Sequence, residues 1–124
     1  AIPRRNPISL VLDTKTMLQS LERVSVVISE KLKSPVRCLF EDNKVTMSAK
    51  TASGDAKDVC RIAGDGQGLE IGFNNRYLMD ALRYAPADTV KMEMNTGISP
   101  AIIVPVEGEE NFLYMVLPVR LKAN

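Results

Sequence analysis

The chain has 124 residues, 45% of them hydrophobic and 25% charged, and its 16 Lys and Arg against 15 Asp and Glu leave a net charge of +1. This profile is that of one ordinary globular domain, without the strongly basic balance of a free-standing nucleic-acid binder. The chain contains no His, which removes the commonest general base and metal ligand and argues against most hydrolases.

The first elements predicted along the chain are a strand over residues 8–12 and a helix. Asp13 or Thr14 stands at the N-cap position, where a side-chain oxygen can accept a free helix N–H. Apolar residues then recur at steps of three and four and predict one buried helical stripe, made of Met17, Leu21, Val24 and Ile28. The helix must end by Pro35, because proline disfavours helical geometry in the residue before it.

Two strand-like runs, VRCLFE and KVTMSAK, follow and are joined by Asp42 and Asn43, a polar pair typical of hairpin turns. A third run over residues 56–62 continues this meander. Three glycines within residues 64–68 then invite comparison with a phosphate-binding loop. No Gly-Lys-Ser/Thr follows them, and the next stretch is the strand LEIGF where a phosphate loop needs a helix, so we expect a turn.

The same order of elements then begins again. Asn74 or Asn75 caps a second helix that stops at Pro86, and its inward stripe is formed by Tyr77 or Leu78 together with Ala81, Leu82 and Ala85. Three more strand-like runs follow, TVKMEM, AIIVPV and FLYMVLPV, separated by turns at residues 95–97 and 107–110. The last apolar strand is expected over residues 112–117.

The chain therefore contains an internal repeat. When LVLDTKTMLQSLER is set over IGFNNRYLMDALRY, Leu12 aligns with Phe73, Asp13 with Asn74, Lys15 with Arg76 and Leu21 with Leu82. A half of this size cannot close a core around its helix alone, so the two halves must pack as a pair. We expect an α+β domain in which two helices lie side by side on one face of antiparallel sheet, with the halves joined edge to edge.

This arrangement places cations on the helix faces that point away from the sheet: Lys15 and Arg23 on the first helix, Arg76 and Arg83 on the second. Two interpretations stay open, an ordinary solvated helix face and contact with the nucleic-acid backbone. No aromatic array or groove-reading motif accompanies the cations, so the second interpretation extends only to sequence-independent contact.

The two cysteines, Cys38 and Cys60, lie in apolar stretches without CxxC spacing, which predicts buried thiols. No apolar run approaches the ~20 residues that span a bilayer. The opening AIPRRNP lacks the apolar core of a signal peptide. We expect a cytoplasmic protein that does not enter a membrane.

An enzyme is the competing hypothesis, and its best constellation is a metal-binding carboxylate set of Asp13, Asp80 and Glu93. No motif brings these three carboxylates into one coordination sphere. Asp13 is better explained as a helix cap and Asp80 as a charge on the helix surface. A self-contained peptide-binding or scaffold domain with no role on DNA is a second alternative.

Several motifs resemble one family, the beta subunit of bacterial DNA polymerase III, or beta sliding clamp. They are LEIGFNNRYLMDAL, the SPAIIVPV strand and the ending YMVLPVRL, after which KAN is appended. A full subunit of that family has three domains of this repeat type. The resemblance implies that residues 1–124 are a single domain, the third, excised from a longer protein.

What the resemblance implies is a processivity factor of DNA replication with no catalytic residue and no cofactor. Two subunits join head to tail in a homodimeric ring whose helices surround duplex DNA without sequence recognition. Under this resemblance the cations Lys15, Arg23, Arg76 and Arg83 face the DNA. Val27 and Ile28 match the place where the third domain meets the first domain of the partner subunit, forming the ring interface.

The resemblance also implies a hydrophobic pocket for short peptides of the polymerase III catalytic subunit, the clamp loader and other proteins with clamp-binding motifs. By matching motifs, its lining is expected to be Asn74, Tyr77, Ile98, Pro100, Met115, Leu117, Pro118, Val119 and Arg120. Two residues depart from the family pattern: Val119 stands where many members carry Met, and Pro100 where a small polar residue can occur. The second wall of the pocket belongs to the preceding domain.

Overall fold

The computed structural model describes residues 8–28, 34–52, 54–106 and 112–121. The first half of the chain forms β1 (Ile8–Asp13), α1 (Thr14–Val24), a 3₁₀ turn (Ser25–Val27), β2 (Val36–Glu41), β3 (Lys44–Thr51) and β4 (Gly54–Arg61). The second half forms β5 (Leu69–Phe73), α2 (Asn75–Tyr84), β6 (Thr89–Met94), β7 (Ala101–Pro105), β8 (Tyr114–Val116) and a short β9 (Pro118–Val119). The predicted repeat of strand, helix and antiparallel strands is confirmed. The turn expected at residues 107–110 lies outside the described residues.

The strands form two antiparallel sheets with the orders β1-β6-β7-β8 and β4-β3-β2-β5-β9. The leading strand of each half pairs with the other half: Leu10 of β1 lies opposite Met92 of β6, and Ile71 of β5 lies opposite Cys38 of β2. The expected α+β class is confirmed. The halves are connected more closely than by an edge-to-edge junction, because they exchange their first strands and complete each other's sheet.

The two sheets are linked at both ends. At one end, Val11 and Ala63 exchange two backbone hydrogen bonds of 2.8 Å, which connects the residues after β4 to the edge of β1. At the other end, the chain leaves β8 in one sheet and enters β9 in the other. The strand expected over residues 112–117 is shorter than predicted, since β8 covers only Tyr114–Val116. The run FLYMVLPV is divided between the two sheets, because Pro118 has no N–H with which to continue the β8 ladder and pairs with Phe73 instead.

The predicted local signals lie where the sequence placed them. Asp42 and Asn43 have φ of 53° and 57°, the two positive values of a type I′ hairpin turn between β2 and β3. Of the alternative caps, Asp13 accepts the Thr16 N–H at 2.9 Å and Asn74 accepts the Tyr77 N–H at 3.2 Å. The segment after residues 64–68 is the strand β5, so the glycines form a turn and no phosphate loop.

Both helices bury one apolar stripe and contact each other. The buried residues include Met17, Leu21 and Val24 of α1 and Leu78, Ala81 and Leu82 of α2. The stripe of α1 does not reach Ile28 as predicted, because the helix ends at Val24 and Ile28 has extended backbone. Neither helix in the described part of the chain is long and apolar enough to cross a membrane.

The two thiols are buried, as the sequence predicts. Burial without a charged partner raises the pKa of Cys38 to about 12. Burial, the largest influence, together with the nearby Asp58 charge raises the pKa of Cys60 as well. Since only a thiolate is a strong nucleophile, both cysteines are unreactive residues of the hydrophobic core.

Candidate functional site

The C-terminal segment forms one border of the candidate site by pairing with β5. Val119 lies opposite Gly72 and Pro118 opposite Phe73 in the antiparallel register. Phe73 immediately precedes Asn74, the cap of α2. The short tail strand is thereby held beside the start of the second helix.

A groove of about 730 Å³ opens at this junction. It is lined by Ile28, Ser34, Pro35, Asn74, Asn75, Arg76, Tyr77, Met79, Arg83 and Val119. Three of these residues, Asn74, Tyr77 and Val119, are among the predicted pocket residues. Three others were predicted for different surfaces: Ile28 for the ring interface, and Arg76 and Arg83 for DNA.

The groove combines apolar contact surface with hydrogen-bonding groups. Met79 is buried and Val119 half-buried, so both present apolar atoms at the lining. Tyr77 is 59% exposed, which leaves its ring accessible to a ligand. A preformed recess with a few polar groups among apolar ones is the usual form of a site for a peptide or small molecule.

The remaining predicted pocket residues do not line this groove. Ile98, 75% exposed, lies on the turn between β6 and β7, where its N–H donates to Thr96 Oγ1 at 3.3 Å, and Pro100 follows half-buried. Met115 in β8 and Leu117 directly after that strand are 39% and 64% exposed. Pro118 is half-buried and Arg120 is exposed.

Arg23 and Arg83, both predicted to face DNA, are bound to carboxylates. Arg23 donates to Asp58 Oδ2 from Nη2 at 2.8 Å and from Nε at 3.1 Å, and Arg83 Nη1 lies 3.5 Å from Asp80 Oδ1. Lys15 and Arg76 are exposed. The positive charge expected on the helix surface is thus partly balanced. Sequence reasoning missed Asp58 because it lies on β4 and reaches Arg23 only through the packing of α1 on that strand.

The predicted ring-interface residues have different environments. Val27 is half-buried, and its carbonyl accepts the Thr51 hydroxyl at 2.8 Å, whereas Ile28 lines the groove. Val26 between α1 and these residues is 80% exposed and was missed. The sequence gives no specific signal for Val26, because single exposed apolar residues are common on protein surfaces.

The carboxylates of the competing enzyme hypothesis are separately engaged. Asp13 accepts both the N–H and the hydroxyl of Thr16, and Asp80 pairs with Arg83. Among the residues that the structure describes, no three Asp, Glu, Cys or His side chains are grouped closely enough to hold a metal ion. The geometry offers no coordination sphere to Asp13, Asp80 and Glu93.

Comparison with known proteins decides the family. Residues 1–120 match the family model described as DNA polymerase III beta subunit, C-terminal domain. The chain belongs to this family. Among relatives of this beta subunit domain, the beta sliding clamp of Synechocystis sp. is 32% identical over 97% of the chain, which corresponds to 31% of that relative.

Solved structures agree with this assignment. A DNA polymerase III beta subunit from Thermotoga maritima is 29% identical with a TM-score of 0.88, over 98% of this chain and 33% of that one. A sliding clamp from Bartonella birtlesii bound to griselimycin is 27% identical with a TM-score of 0.88, over 97% and 32%. The beta subunit domain thus spans about a third of the length of the proteins it matches.

Proposed function

We propose that this chain is one domain, the third, of a ring-shaped sliding clamp that encircles duplex DNA and acts as a processivity factor of DNA replication. Membership of the beta subunit family supports the ring, and the repeated strand-helix-strands halves supply the two helices that such a ring presents to DNA. The observation that carries the docking role is the groove shared by the start of α2 and the C-terminal strand β9.

The contact with DNA is sequence-independent and weak. Lys15 and Arg23 lie on the exposed side of α1, where ammonium and guanidinium groups can face phosphates. Arg23 already shares its charge with Asp58, so its additional attraction to DNA is small. Weak contact suits a clamp, because enclosure of the duplex keeps the ring on DNA and a tight grip would slow its sliding.

The groove receives apolar side chains of short peptide segments from partner proteins. These partners are the polymerase III catalytic subunit, the clamp loader and other proteins with clamp-binding motifs. Tyr77 and Val119 supply contact area at the groove, and the exposed side chains of Met115 and Leu117 and of Ile98, on the turn between β6 and β7, offer further apolar surface outside it. A few apolar anchors in a preformed recess carry most of the energy of such an interface. A clamp of the same fold binds griselimycin, which supports a ligand-binding role for the family.

Ring closure uses the apolar surface at the end of α1. The sequence predicts Val27 and Ile28 as ring-interface residues, and we add Val26, because a side chain that is 80% exposed is available to a partner subunit. The intact protein is then a homodimer with two such contacts. The assembly is non-catalytic, works in the cytoplasm, and requires no cofactor or membrane.

Deletion of the tail tests the docking role. A labelled clamp-binding peptide is titrated into the intact natural protein that contains this chain, and the titration is repeated after removal of residues 117–124. We expect binding to be lost, because β9 forms one border of the groove. If the deletion left the affinity unchanged, the tail would not be part of the peptide-binding pocket.

Circular DNA separates the clamp from the alternative of a scaffold domain with no DNA role. A clamp loaded on a nicked plasmid stays bound during gel filtration and is released once a restriction enzyme linearises the plasmid. A scaffold domain that binds only partner proteins is retained on neither the circular nor the linear plasmid. Equal retention on circular and linear DNA would contradict enclosure of the duplex.

A further inference from the structure

The groove carries two cations that the docking of apolar side chains does not use. Arg76 and Arg83 both line it, and Asp80, which contacts Arg83, lies between them on α2 outside the described lining. The two arginines are seven positions apart on α2, which is about two helical turns, so they project from the same face roughly 10 Å apart. Met79 lies between them on that face and is also part of the lining.

The cationic stretch is continuous with the proposed peptide site. Asn74, Tyr77 and Val119 line the same groove as the two arginines. A peptide anchored against Tyr77 and Val119 lies beside Arg76, one position before Tyr77, and reaches Arg83 where its chain continues along α2. A peptide in the polyproline II conformation advances about 3.1 Å per residue with three residues per turn, so side chains three positions apart lie on one face roughly 9 Å apart, close to the spacing of the two arginines.

We propose that Arg76 and Arg83 recognise acidic side chains that flank the apolar anchor of a docking peptide, an inference that rests on the proposed function. Guanidinium groups bind carboxylates through paired, charge-assisted hydrogen bonds. The Arg83 contact with Asp80 is long, at 3.5 Å, and Arg83 remains 47% exposed, so a ligand carboxylate can reach it. The groove thereby selects partners with Asp or Glu beside the anchor.

The lining favours a peptide over duplex DNA as the ligand of these arginines. Ile28, Pro35 and Met79 supply apolar atoms beside the guanidinium groups. A sugar-phosphate backbone seeks cations and hydrogen-bond donors and gains little from such a surface. A peptide buries its own apolar atoms there while its carboxylates pair with the arginines.

Two labelled clamp-binding peptides with the same apolar anchor test the proposal, one carrying Glu at every third flanking position and the other Gln at those positions. In the intact protein at low salt we expect the Glu peptide to bind about fivefold more tightly, an advantage that shrinks as salt is added. The double variant R76Q/R83Q should bind the Glu peptide only as well as it binds the Gln peptide. K57Q, which removes an exposed cation on β4, should keep the advantage.

The outcomes separate this proposal from the docking role itself. Equal binding of both peptides to the unaltered protein, at every salt concentration, would overturn the acidic preference and leave the docking role standing. Failure of both peptides to bind would overturn both. If R76Q/R83Q loses retention on duplex DNA but keeps its preference for the Glu peptide, the arginines belong to DNA and the proposal is wrong.

Discussion

Leu121 lies directly over Gly72. A Cβ atom added to Gly72 would stand 2.5 Å from Leu121 Cδ2 and 2.7 Å from the Val119 carbonyl oxygen, both far inside van der Waals contact. The tail therefore packs directly against the backbone of β5, and it can approach so closely because Gly72 has no side chain. Because Phe73 and Asn74 follow Gly72, the same contact fixes the distance from the tail to α2.

The variant G72A should weaken peptide binding in the intact protein. The added methyl must push the backbone at Val119 outward, which changes the border of the groove while the fold is kept. We expect about a tenfold loss of affinity, equivalent to about 1.4 kcal/mol, measured by fluorescence anisotropy.

G68A is the matched control. Gly68 has a φ of +75°, so alanine there costs on the order of 1 kcal/mol of folding stability, yet its Cβ meets nothing within 4 Å. G68A should lower the midpoint of urea unfolding and leave peptide affinity unchanged. Loss of binding in G68A to the same degree as in G72A would show that general destabilisation, not the tail contact, is responsible.

Assembly of the intact protein should depend on Val26. The variant V26D places a charge on a side chain that is 80% exposed, so the domain itself should unfold at an unchanged urea concentration. A carboxylate buried in a subunit interface without a partner is costly, so the dimer should dissociate at concentrations where the unaltered protein is intact. Light scattering measures the molar mass and therefore the fraction of dimer. V106D, which alters another exposed valine, should remain dimeric, and a fully dimeric V26D would contradict the assignment.

The pair of Arg23 and Asp58 should make folding stability depend on acid. Burial, the largest influence, raises the pKa of Asp58, but hydrogen bonds from Ser20 and Arg23 and the Arg23 charge outweigh it and hold the pKa below its usual range. Such a carboxylate stabilises the fold above its unfolded pKa of about 3.9, and this contribution is lost as pH falls through the folded value.

D58N should therefore cost about 0.5 kcal/mol at pH 7, a small figure because Arg23 is 61% exposed and solvent screens the pair. The difference in unfolding free energy between D58N and the unaltered chain should shrink as the pH is lowered below about 4. Urea titrations at several pH values measure it. D55N, which alters an exposed carboxylate on the same strand, should show no such trend, and a D58N deficit that is constant with pH would contradict the ion pair.

Local features of this fold are predictable from sequence because neighbouring residues determine them. The positive φ of Asp42 and Asn43 and the buried stripe of Met17, Leu21 and Val24 depend on interactions within a few positions. The exchange of β1 and β5 between the halves is not determined locally, since it depends on pairs such as Leu10 and Met92, which are far apart in sequence. Either sheet arrangement satisfies the same alternation of apolar residues, so periodicity cannot distinguish them.

The candidate site likewise has a part that the sequence predicts and a part that depends on contacts between distant residues. Family motifs indicated Asn74, Tyr77 and Val119, which the structure brings to one groove. Helix periodicity placed Arg76 and Arg83 on the face away from the sheet, but it contains no information on what lies beside that face. Their membership of the groove depends on where the chain after α1 passes the start of α2, a relationship between residues far apart in sequence.

The equivalent helix caps of the two halves should respond differently to acid. Hydrogen bonds from the Thr16 hydroxyl and then its N–H lower the pKa of Asp13, so this cap stabilises α1 above about pH 3.9 and weakens as pH falls through the folded value. Asn74, which caps α2 through the Tyr77 N–H, carries no titrating group. D13A should cost about 1 kcal/mol at pH 7, and that deficit should shrink in acid.

The variant N74A should show a deficit of similar size at every pH, because an amide cap does not titrate. D13N should retain most of the stability at pH 7, since its amide oxygen can still accept the Thr16 N–H. Urea unfolding of D13A, D13N and N74A at pH 7 and pH 3 measures these differences. If the deficit of N74A shrinks in acid as much as that of D13A, the pH dependence does not arise from the Asp13 carboxylate.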